Sequence, residues 1–186
     1  MKKRDLFWLL ATPIYLTIGT IRHEAAHALM AWRQGAEITE FVFLPGYRGD
    51  QFFFGYVRWT GGETNWLVTA GPYLLDLLTF ATFFLVCYRG KLKQHWLWLN
   101  LVIIGLISPL INSGYQYFKP GLGMQGDIGW LLERVPPTLV HGYMIGTIVL
   151  YLIGLILTFI TSWHIRFSRE DQANQERLGS IFRSFR

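Results

Sequence analysis

Residues 21–27 read Ile-Arg-His-Glu-Ala-Ala-His and contain the pattern H-E-x-x-H. On an α-helix, positions i and i+4 lie on one face, so His23 and His27 can direct imidazole nitrogens at a single ion. Such nitrogens bind Zn²⁺ at about 2 Å, and a catalytic zinc site leaves one coordination position to water. Glu24 adjoins His23, where its carboxylate can take a proton from that water. The spacing therefore predicts two zinc ligands and a general base.

The setting of this motif is an apolar stretch that runs from Leu6 to Ile21. A bare H-E-x-x-H match in a soluble chain is weak, because so short a pattern arises by chance. Ionisable groups in or beside a membrane-length apolar segment are costly, and they are by default candidates for a functional site. The alternative is that these side chains simply lie outside the lipid. We favour the metal site.

Two histidines leave a catalytic zinc site incomplete, since a third protein ligand is expected. The candidates are Asp50, Asp76, Asp127, Glu133 and His141. Asp127 ranks first because it follows a Gly-rich interruption, and irregular backbone at membrane depth is tolerated where it lines a cavity. His141 ranks second, and Asp76 fits a carboxylate that faces the helix bundle slightly better than one that orients a ligand. Two His and one Asp suit Zn²⁺, but also Fe²⁺, Co²⁺ and Mn²⁺.

The composition indicates a membrane protein with one domain. Of the 186 residues, 52% are hydrophobic and 17% are aromatic, and only 16% are charged, against about 25% in soluble domains. The net charge of +5 is explained by basic residues that flank apolar spans. No basic stripe interleaves with stacking aromatic residues, so no nucleic-acid partner is expected. The one cysteine, Cys87, cannot form an internal disulfide.

The apolar segments predict an all-α integral membrane protein with about four transmembrane helices and a single domain over residues 1–166. The predicted spans cover about residues 6–34, 65–88, 95–117 and 139–165. A basic start followed by an apolar run also fits a signal peptide, but no small-residue cleavage site follows it. We therefore assign this run to the first span. Pro13 predicts a kink in that helix, and Gly35 predicts its end.

Residues 38–60, between the first two spans, predict a β-hairpin at the membrane surface. Residues 38–44 and 52–59 are rich in β-branched and aromatic side chains, and residues 45–50 are typical of a turn. The hairpin either only covers the helices or offers an edge strand that pairs with an extended substrate. The sequence leaves both roles open.

The distribution of Lys and Arg predicts the topology. Basic residues precede the first span, lie between the second and third, and follow the fourth. The positive-inside rule then places both termini in the cytoplasm of a multi-pass cell-membrane protein. The hairpin, Asp127 and the two histidines fall toward the opposite side. Residues 167–186 form a basic tail with apolar residues at helical spacing, which fits an interfacial amphipathic helix or a frayed end.

Together these features resemble one known family, the site-2-protease-type intramembrane zinc metalloproteases. The resemblance rests on the run H-E-A-A-H, on the hairpin after it, on Ala70-Gly71-Pro72 at the start of the next span, and on an aspartate in a third membrane region. It covers roughly residues 18–132.

Carried over by position, the resemblance implies that His23, His27 and Asp127 bind zinc and that Glu24 activates water. It also implies that Asn112 holds the backbone of the substrate. The residues themselves leave a second role open for Asn112, which is a hydrogen bond between helices.

We therefore expect a zinc-dependent metalloendopeptidase that hydrolyses peptide bonds in or beside transmembrane segments. Its partners would be a membrane protein or peptide substrate and the lipid bilayer. One alternative is a non-proteolytic, metal-binding membrane scaffold, although metal binding alone does not need the carboxylate of Glu24. A transporter is a second alternative, and the lack of an internal repeat argues against it.

Overall fold

The computed structural model describes residues 3–48, 51–89, 95–122 and 126–184, and the chain is mostly helical (76%). Its helices are α1 (Lys3–Arg33), α2 (Trp66–Arg89), α3 (His95–Val102), α4 (Ser108–Phe118), α5 (Asp127–Leu132) and α6 (Pro137–Ser184). A π-helical segment, Ile103–Ile107, joins α3 to α4, and a 3₁₀ turn, Lys119–Leu122, follows α4.

Three helical segments among the described residues are long and apolar enough to cross a membrane. They are Trp66–Arg89, Trp96–Phe118 and Pro137–Thr161, and they coincide with the second, third and fourth predicted spans. The span predicted at residues 6–34 lies in α1, which is not one of the three, so this span stays a prediction. The backbone of α6 continues to Ser184, through most of the predicted tail at residues 167–186.

The predicted hairpin is confirmed, but each of its arms divides into two strands. The strands are β1 (Glu37–Val42), β2 (Gly46–Arg48), β3 (Gln51–Phe53) and β4 (Tyr56–Thr60). β1 pairs antiparallel with β4, with Val42 opposite Tyr56, and β2 pairs antiparallel with β3. The first arm breaks at Pro45, which has no N–H for the ladder. The second breaks at Gly55, where an added Cβ would lie 2.5 Å from the side chain of Thr20.

A glycine cap ends α1 and turns the chain into the hairpin. Gly35 has φ +81°, a left-handed conformation that residues with a Cβ rarely adopt. Its N–H donates to the carbonyl of Trp32 at 3.0 Å, and that of Ala36 donates to the carbonyl of Ala31 at 3.1 Å. These are the two hydrogen bonds of the Schellman motif. Ala31 and Ala36 are buried in one small cluster with Val68 of α2.

Helix α2 lies at the centre and contacts each of the other five helices. Gly71 in its Ala70-Gly71-Pro72 segment lets α1 approach, because a Cβ on Gly71 would lie 2.7 Å from Met30 and 3.3 Å from the carbonyl of Ala26. At one end, α2, α5 and α6 share a cluster of Tyr73, Ile128, Leu131, Val140 and Met144. At the other end lies what we term the distal cluster, made of Phe80, Cys87, Trp98, Val102, Leu106 and Tyr151.

Candidate metal centre

The His, Glu and His side chains of the motif are buried between α1 and the helices that cover it. His23, Glu24 and His27 are 6%, 8% and 6% exposed. The two imidazole rings stand edge to face, with centroids 4.9 Å apart. Their common orientation follows from the i, i+4 spacing within one helix.

Asp127 reaches the two histidines from a distant part of the chain. It is the first residue of α5, and Gly126 before it is extended. The carboxylate oxygen Oδ2 lies 3.0 Å from Nε2 of His23 and 3.2 Å from Nε2 of His27. The two Nε2 atoms are 3.3 Å apart. Three potential ligand atoms thus form a nearly equilateral triangle.

The size of this triangle fits one small cation. Zinc–ligand bonds of about 2.0–2.1 Å at tetrahedral angles separate neighbouring ligand atoms by about 3.3 Å. The three observed separations, 3.0, 3.2 and 3.3 Å, lie at or slightly below that value. The set of two imidazole nitrogens and one carboxylate oxygen also has the chemistry that Zn²⁺ accepts. His23, His27 and Asp127 can therefore hold a metal ion.

A backbone carbonyl fixes the ring of His27 in the orientation that metal binding needs. Nδ1 of His27 donates its hydrogen to the carbonyl oxygen of Val68 at 2.8 Å. In a neutral imidazole the hydrogen is then absent from Nε2, which leaves the Nε2 lone pair directed at Asp127. Such outer partners set the tautomer and ring angle of metal-binding histidines.

Asp127 is held as an anion at one corner of the triangle. Burial by itself would raise the pKa of the Asp127 carboxyl group, but the two neighbouring histidines, His27 above all, outweigh it and hold that pKa well below its usual range. The hydroxyl of Tyr73 donates to the same oxygen, Oδ2, at 3.2 Å. The ring of Tyr73 also packs edge to face against that of His23, with centroids 5.9 Å apart.

Two cavities of different polarity meet at Glu24 and His23. An apolar cavity of about 450 Å³ lies between α1, the π segment with α4, and the tip of β3; its lining includes Leu16, Phe52, Phe54, Ile107 and Ile111. A more polar cavity of about 680 Å³ contains the three candidate ligands; its lining includes Trp59, Thr69, Asp127, Trp130 and Glu133. The residues common to both linings are His23, Glu24, Gly55, Gln116 and Lys119.

Glu24 stands at this junction without a fixed partner. Its side chain makes no hydrogen bond to another described residue, although it is only 8% exposed. Gly55 packs close beside it, since an added Cβ there would lie 3.2 Å from Cγ of Glu24. The carboxylate can therefore exchange a proton with water or a substrate in either cavity.

The remaining candidate ligands lie outside the triangle. His141 is exposed, and its Nδ1 lies 3.0 Å from the hydroxyl of Tyr117. The side chain of Glu133 is 73% exposed and pairs with Arg134. Asp76 is 1% exposed and forms an ion pair with Arg22. Asp50 lies outside the described residues.

Sequence reasoning missed two residues, of which one contacts this centre directly and the other reaches it through two intermediate side chains. Tyr73 gave no signal, because a tyrosine in an apolar span usually packs there with its hydroxyl bonded to any nearby acceptor. Arg22 did give a signal, since it is an ionisable residue next to the motif. Its Nη2 lies 2.8 Å from Oδ1 of Asp76, and Asp76 in turn contacts Asn112, which lies against His23.

No protein-family model, curated protein sequence or solved structure matches this chain.

Proposed function

We propose that this protein is a multi-pass membrane zinc metalloprotease that hydrolyses peptide bonds in or beside transmembrane segments. The observation that carries the proposal is the triangle of His23, His27 and Asp127, whose edges of 3.0, 3.2 and 3.3 Å suit one tetrahedral ion, with Glu24 beside it. Metal binding alone would need only the three ligands. A buried glutamate that makes no hydrogen bond to the part of the chain that the structure describes supports catalysis as well.

Hydrolysis would require a bound zinc ion, a general base and the groups that hold the ligands in place. Bound zinc would polarise the scissile carbonyl and acidify a water molecule. Glu24 takes the proton of the attacking water and passes it to the leaving amine. The carbonyl of Val68 and the hydroxyl of Tyr73 keep His27 and Asp127 in place during this transfer, because both bond to ligand atoms or rings from outside the triangle.

The two cavities suit an apolar substrate that is exposed to water only near Glu24, where the cavities join. The apolar cavity extends along α1 from Glu24 to Thr12, which is about 18 Å at 1.5 Å per residue. That length accepts about five residues of extended peptide at about 3.3 Å each. The polar cavity offers water a route to the opposite side of Glu24. The scissile bond would lie between the two.

The hairpin is the second element that we assign to substrate binding. Residues from β3 line the apolar cavity and residues from β4 line the polar one. A transmembrane helix hides its amide groups in its own hydrogen bonds, so a substrate must unwind before it is cut. Pairing with an edge of this hairpin would hold the unwound segment extended.

We further propose that α1 also crosses the membrane, which brings the number of spans to four, and that both termini face the cytoplasm. The helix is 31 residues long, or about 46 Å, which exceeds the roughly 30 Å of a hydrocarbon core. The hairpin and the triangle would then lie toward the non-cytoplasmic side.

The test uses the full chain purified in detergent. We expect about one zinc per chain by mass spectrometry in the wild type and in Glu24→Gln, and none in His27→Ala. A labelled peptide with a twenty-residue apolar segment and a polar flank would be cut by the wild type, and at least about 100-fold more slowly by Glu24→Gln. Glu133→Gln is the matched control, because Glu133 lines the same polar cavity and should leave the rate unchanged.

Two results would contradict the proposal. Folded wild-type protein that contains no zinc would remove the centre itself. Cleavage by Glu24→Gln at the wild-type rate would remove its catalytic role. A wild type that binds zinc and cuts none of a broad set of such peptides would instead favour the metal-binding scaffold.

A further inference from the structure

A continuous chain of polar contacts connects three helices behind His23. Nη2 of Arg22 lies 2.8 Å from Oδ1 of Asp76. The amide nitrogen of Asn112 donates to Oδ2 of Asp76 at 2.7 Å, and the same nitrogen lies 3.1 Å from Nδ1 of His23. The side chains of Arg22 and Asp76 are 14% and 1% exposed. We call this series of contacts the Arg22–Asn112 network. Its last member contacts the imidazole ring of His23, which can bind metal.

The π segment explains why an arginine is stable at this depth. Ser108 donates its N–H to the carbonyl of Ile103, and Pro109 has no N–H, so the carbonyl of Ile104 has no helical donor. Nη1 of Arg22 donates to that carbonyl at 3.1 Å, and Nη2 donates to the hydroxyl of Ser108 at 3.2 Å. A buried ion pair is tolerated when such additional hydrogen bonds satisfy its remaining groups. The guanidinium on α1 is therefore held by α2, the π segment and α4, while its buried Nε has no hydrogen-bond partner among the described residues.

Asn112 can support the form of His23 that metal binding requires. If Nε2 of His23 binds a cation, the hydrogen of the neutral ring must sit on Nδ1, and its partner must be an acceptor. A primary amide carries both an acceptor oxygen and a donor NH₂ group. In the structure the NH₂ nitrogen faces both groups, so a turn of the amide about the Cβ–Cγ bond is needed for Oδ1 to accept from Nδ1 of His23 while the NH₂ group donates to Asp76. Neither an apolar side chain nor a carboxylate at this position can do both.

We propose that Asn112 is a positioning residue for the metal centre and that the Arg22–Asp76 ion pair acts through it. The pair fixes the amide, the amide fixes the tautomer and angle of His23, and these set how tightly the centre binds its ion. The inference rests on the proposed metal centre, because it concerns the affinity of that site. It assigns to Asn112 a role toward the protein's own ligand instead of toward the substrate backbone.

A purely structural role would make a different prediction. An ion pair that only joins helices would change the unfolding temperature and leave the affinity of the folded protein for zinc unchanged. A positioning role changes the affinity. It also makes the effects of Arg22–Asp76 and Asn112 non-additive, because residues that act through one network do not contribute independently.

The experiment is a double-variant cycle on the full chain in detergent. Its arms are Asn112→Leu, the charge-free pair Arg22→Met with Asp76→Leu, and all three changes together. Zinc affinity is measured by competition with a chelating dye, coordination geometry by the visible absorption of bound Co²⁺, and folding by thermal unfolding. Removing both charges avoids an unpaired buried ion. Thr158→Val is the control, since Thr158 is a fully buried polar residue of α6 far from the site along the chain.

We expect each arm to weaken zinc binding about 10- to 100-fold, as loss of an outer partner does in metal sites. The combined variant should bind zinc no more weakly than the weaker-binding of the two separate arms. The absorption spectrum of bound Co²⁺ should change in all three variants. The Thr158→Val control should match the wild type in zinc affinity and in the Co²⁺ spectrum. Equal zinc affinity in the wild type and Asn112→Leu, or multiplied effects in the combined variant, would overturn the inference.

A second pair of variants serves if the charge-free pair does not fold. Asn112→Asp keeps an acceptor for His23 but places a second carboxylate against Asp76, so zinc binding should weaken. Adding Asp76→Asn restores one amide and one carboxylate in exchanged positions and should recover part of the affinity. Absence of any recovery would contradict the proposed link between the two side chains. Absence of zinc in the wild type would overturn the proposed function and this inference together, whereas a zinc-binding wild type with unaffected variants would overturn this inference alone.

Discussion

Helix α2 passes through two regions of opposite chemistry. Its first half contributes Thr69, Tyr73 and Asp76 to the candidate metal centre, all of them polar and buried. Its second half contributes Phe80 and Cys87 to the distal cluster, which is almost wholly apolar. The third span contributes to both regions in the same way, with Asn112 near the metal centre and Leu106 in the distal cluster.

The difference shows how one set of helices separates two tasks. Apolar side chains gain little by leaving lipid, so packing in the distal cluster depends on close van der Waals fit. Gly154 provides such fit, because a Cβ there would lie 2.6 Å from the ring of Phe80. At the metal centre, directed hydrogen bonds decide the geometry instead. Changes at the metal centre should therefore alter metal binding, and changes in the distal cluster should alter stability.

The largest effect should come from removing the third ligand. Asp127→Ala should weaken zinc binding by at least about 100-fold, more than loss of an outer partner does, because it removes one corner of the triangle. His141→Ala should leave the affinity unchanged, since His141 is exposed and contacts Tyr117. Both are measured by competition with a chelating dye. The reverse result would transfer the third ligand position to His141.

The opposite effect is expected in the distal cluster. Phe80 is 3% exposed, and its ring centroid lies 4.5 Å from that of Tyr151. Phe80→Ala should reduce the free energy of unfolding by about 3 kcal/mol and leave zinc affinity within about twofold. Leu78→Ala is the control, because Leu78 is 63% exposed on the surface of α2. A fall in zinc affinity at temperatures where the Phe80 variant is folded would show that the two ends are coupled.

Two neighbouring tyrosines sharpen the comparison within the metal centre. Tyr73→Phe removes the hydroxyl that donates to Asp127 at 3.2 Å but keeps the ring against His23, so zinc binding should weaken about tenfold. Tyr143→Phe removes a hydroxyl that donates to the backbone carbonyl of Tyr73 at 2.9 Å. This change should lower stability by about 1 kcal/mol and leave the affinity unchanged. Equal effects on zinc binding would indicate that hydroxyls near the centre act only through general packing.

Local sequence patterns predicted the parts of the site that one helix or one turn determines. The i, i+4 spacing was sufficient to place His23 and His27 on one face. The Gly-rich approach to Asp127 was sufficient to rank it above His141, and the structure brings it within 3.0 Å of His23. The hairpin followed from its β-branched and aromatic arms. In each case the determining contacts join residues that are close in sequence, or the segment has an unusual backbone composition such as several glycines.

Contacts between helices could not be predicted in the same way. The pairing of Arg22 with Asp76 depends on the relative rotation and depth of α1 and α2, which periodicity within either helix does not determine. The π segment depends on which carbonyl Ser108 bonds, and Pro109 was the only local indication of it. Tyr73 became part of the site only because α5 delivers Asp127 to its hydroxyl.

The smallest effect should come from an ion pair that resembles Arg22–Asp76 in composition but lies on the surface. Nη1 of Arg58 on β4 lies 3.5 Å from Oε2 of Glu40 on β1, and the two side chains are 41% and 39% exposed. Water and salt screen such a pair, so Arg58→Met should cost less than about 1 kcal/mol and should not affect zinc affinity.

The two arginines then form a matched test of burial. Added salt should reduce the small stabilisation by Arg58 and leave the contribution of Arg22 almost unchanged, because a buried pair is screened much less. Thermal unfolding of Arg58→Met at low and high salt measures the stabilisation by Arg58. Zinc competition at the same two salt concentrations measures the contribution of Arg22 to zinc affinity. A loss of zinc affinity in Arg58→Met would indicate that the hairpin, whose strand β4 lines the polar cavity, helps to shape the metal centre.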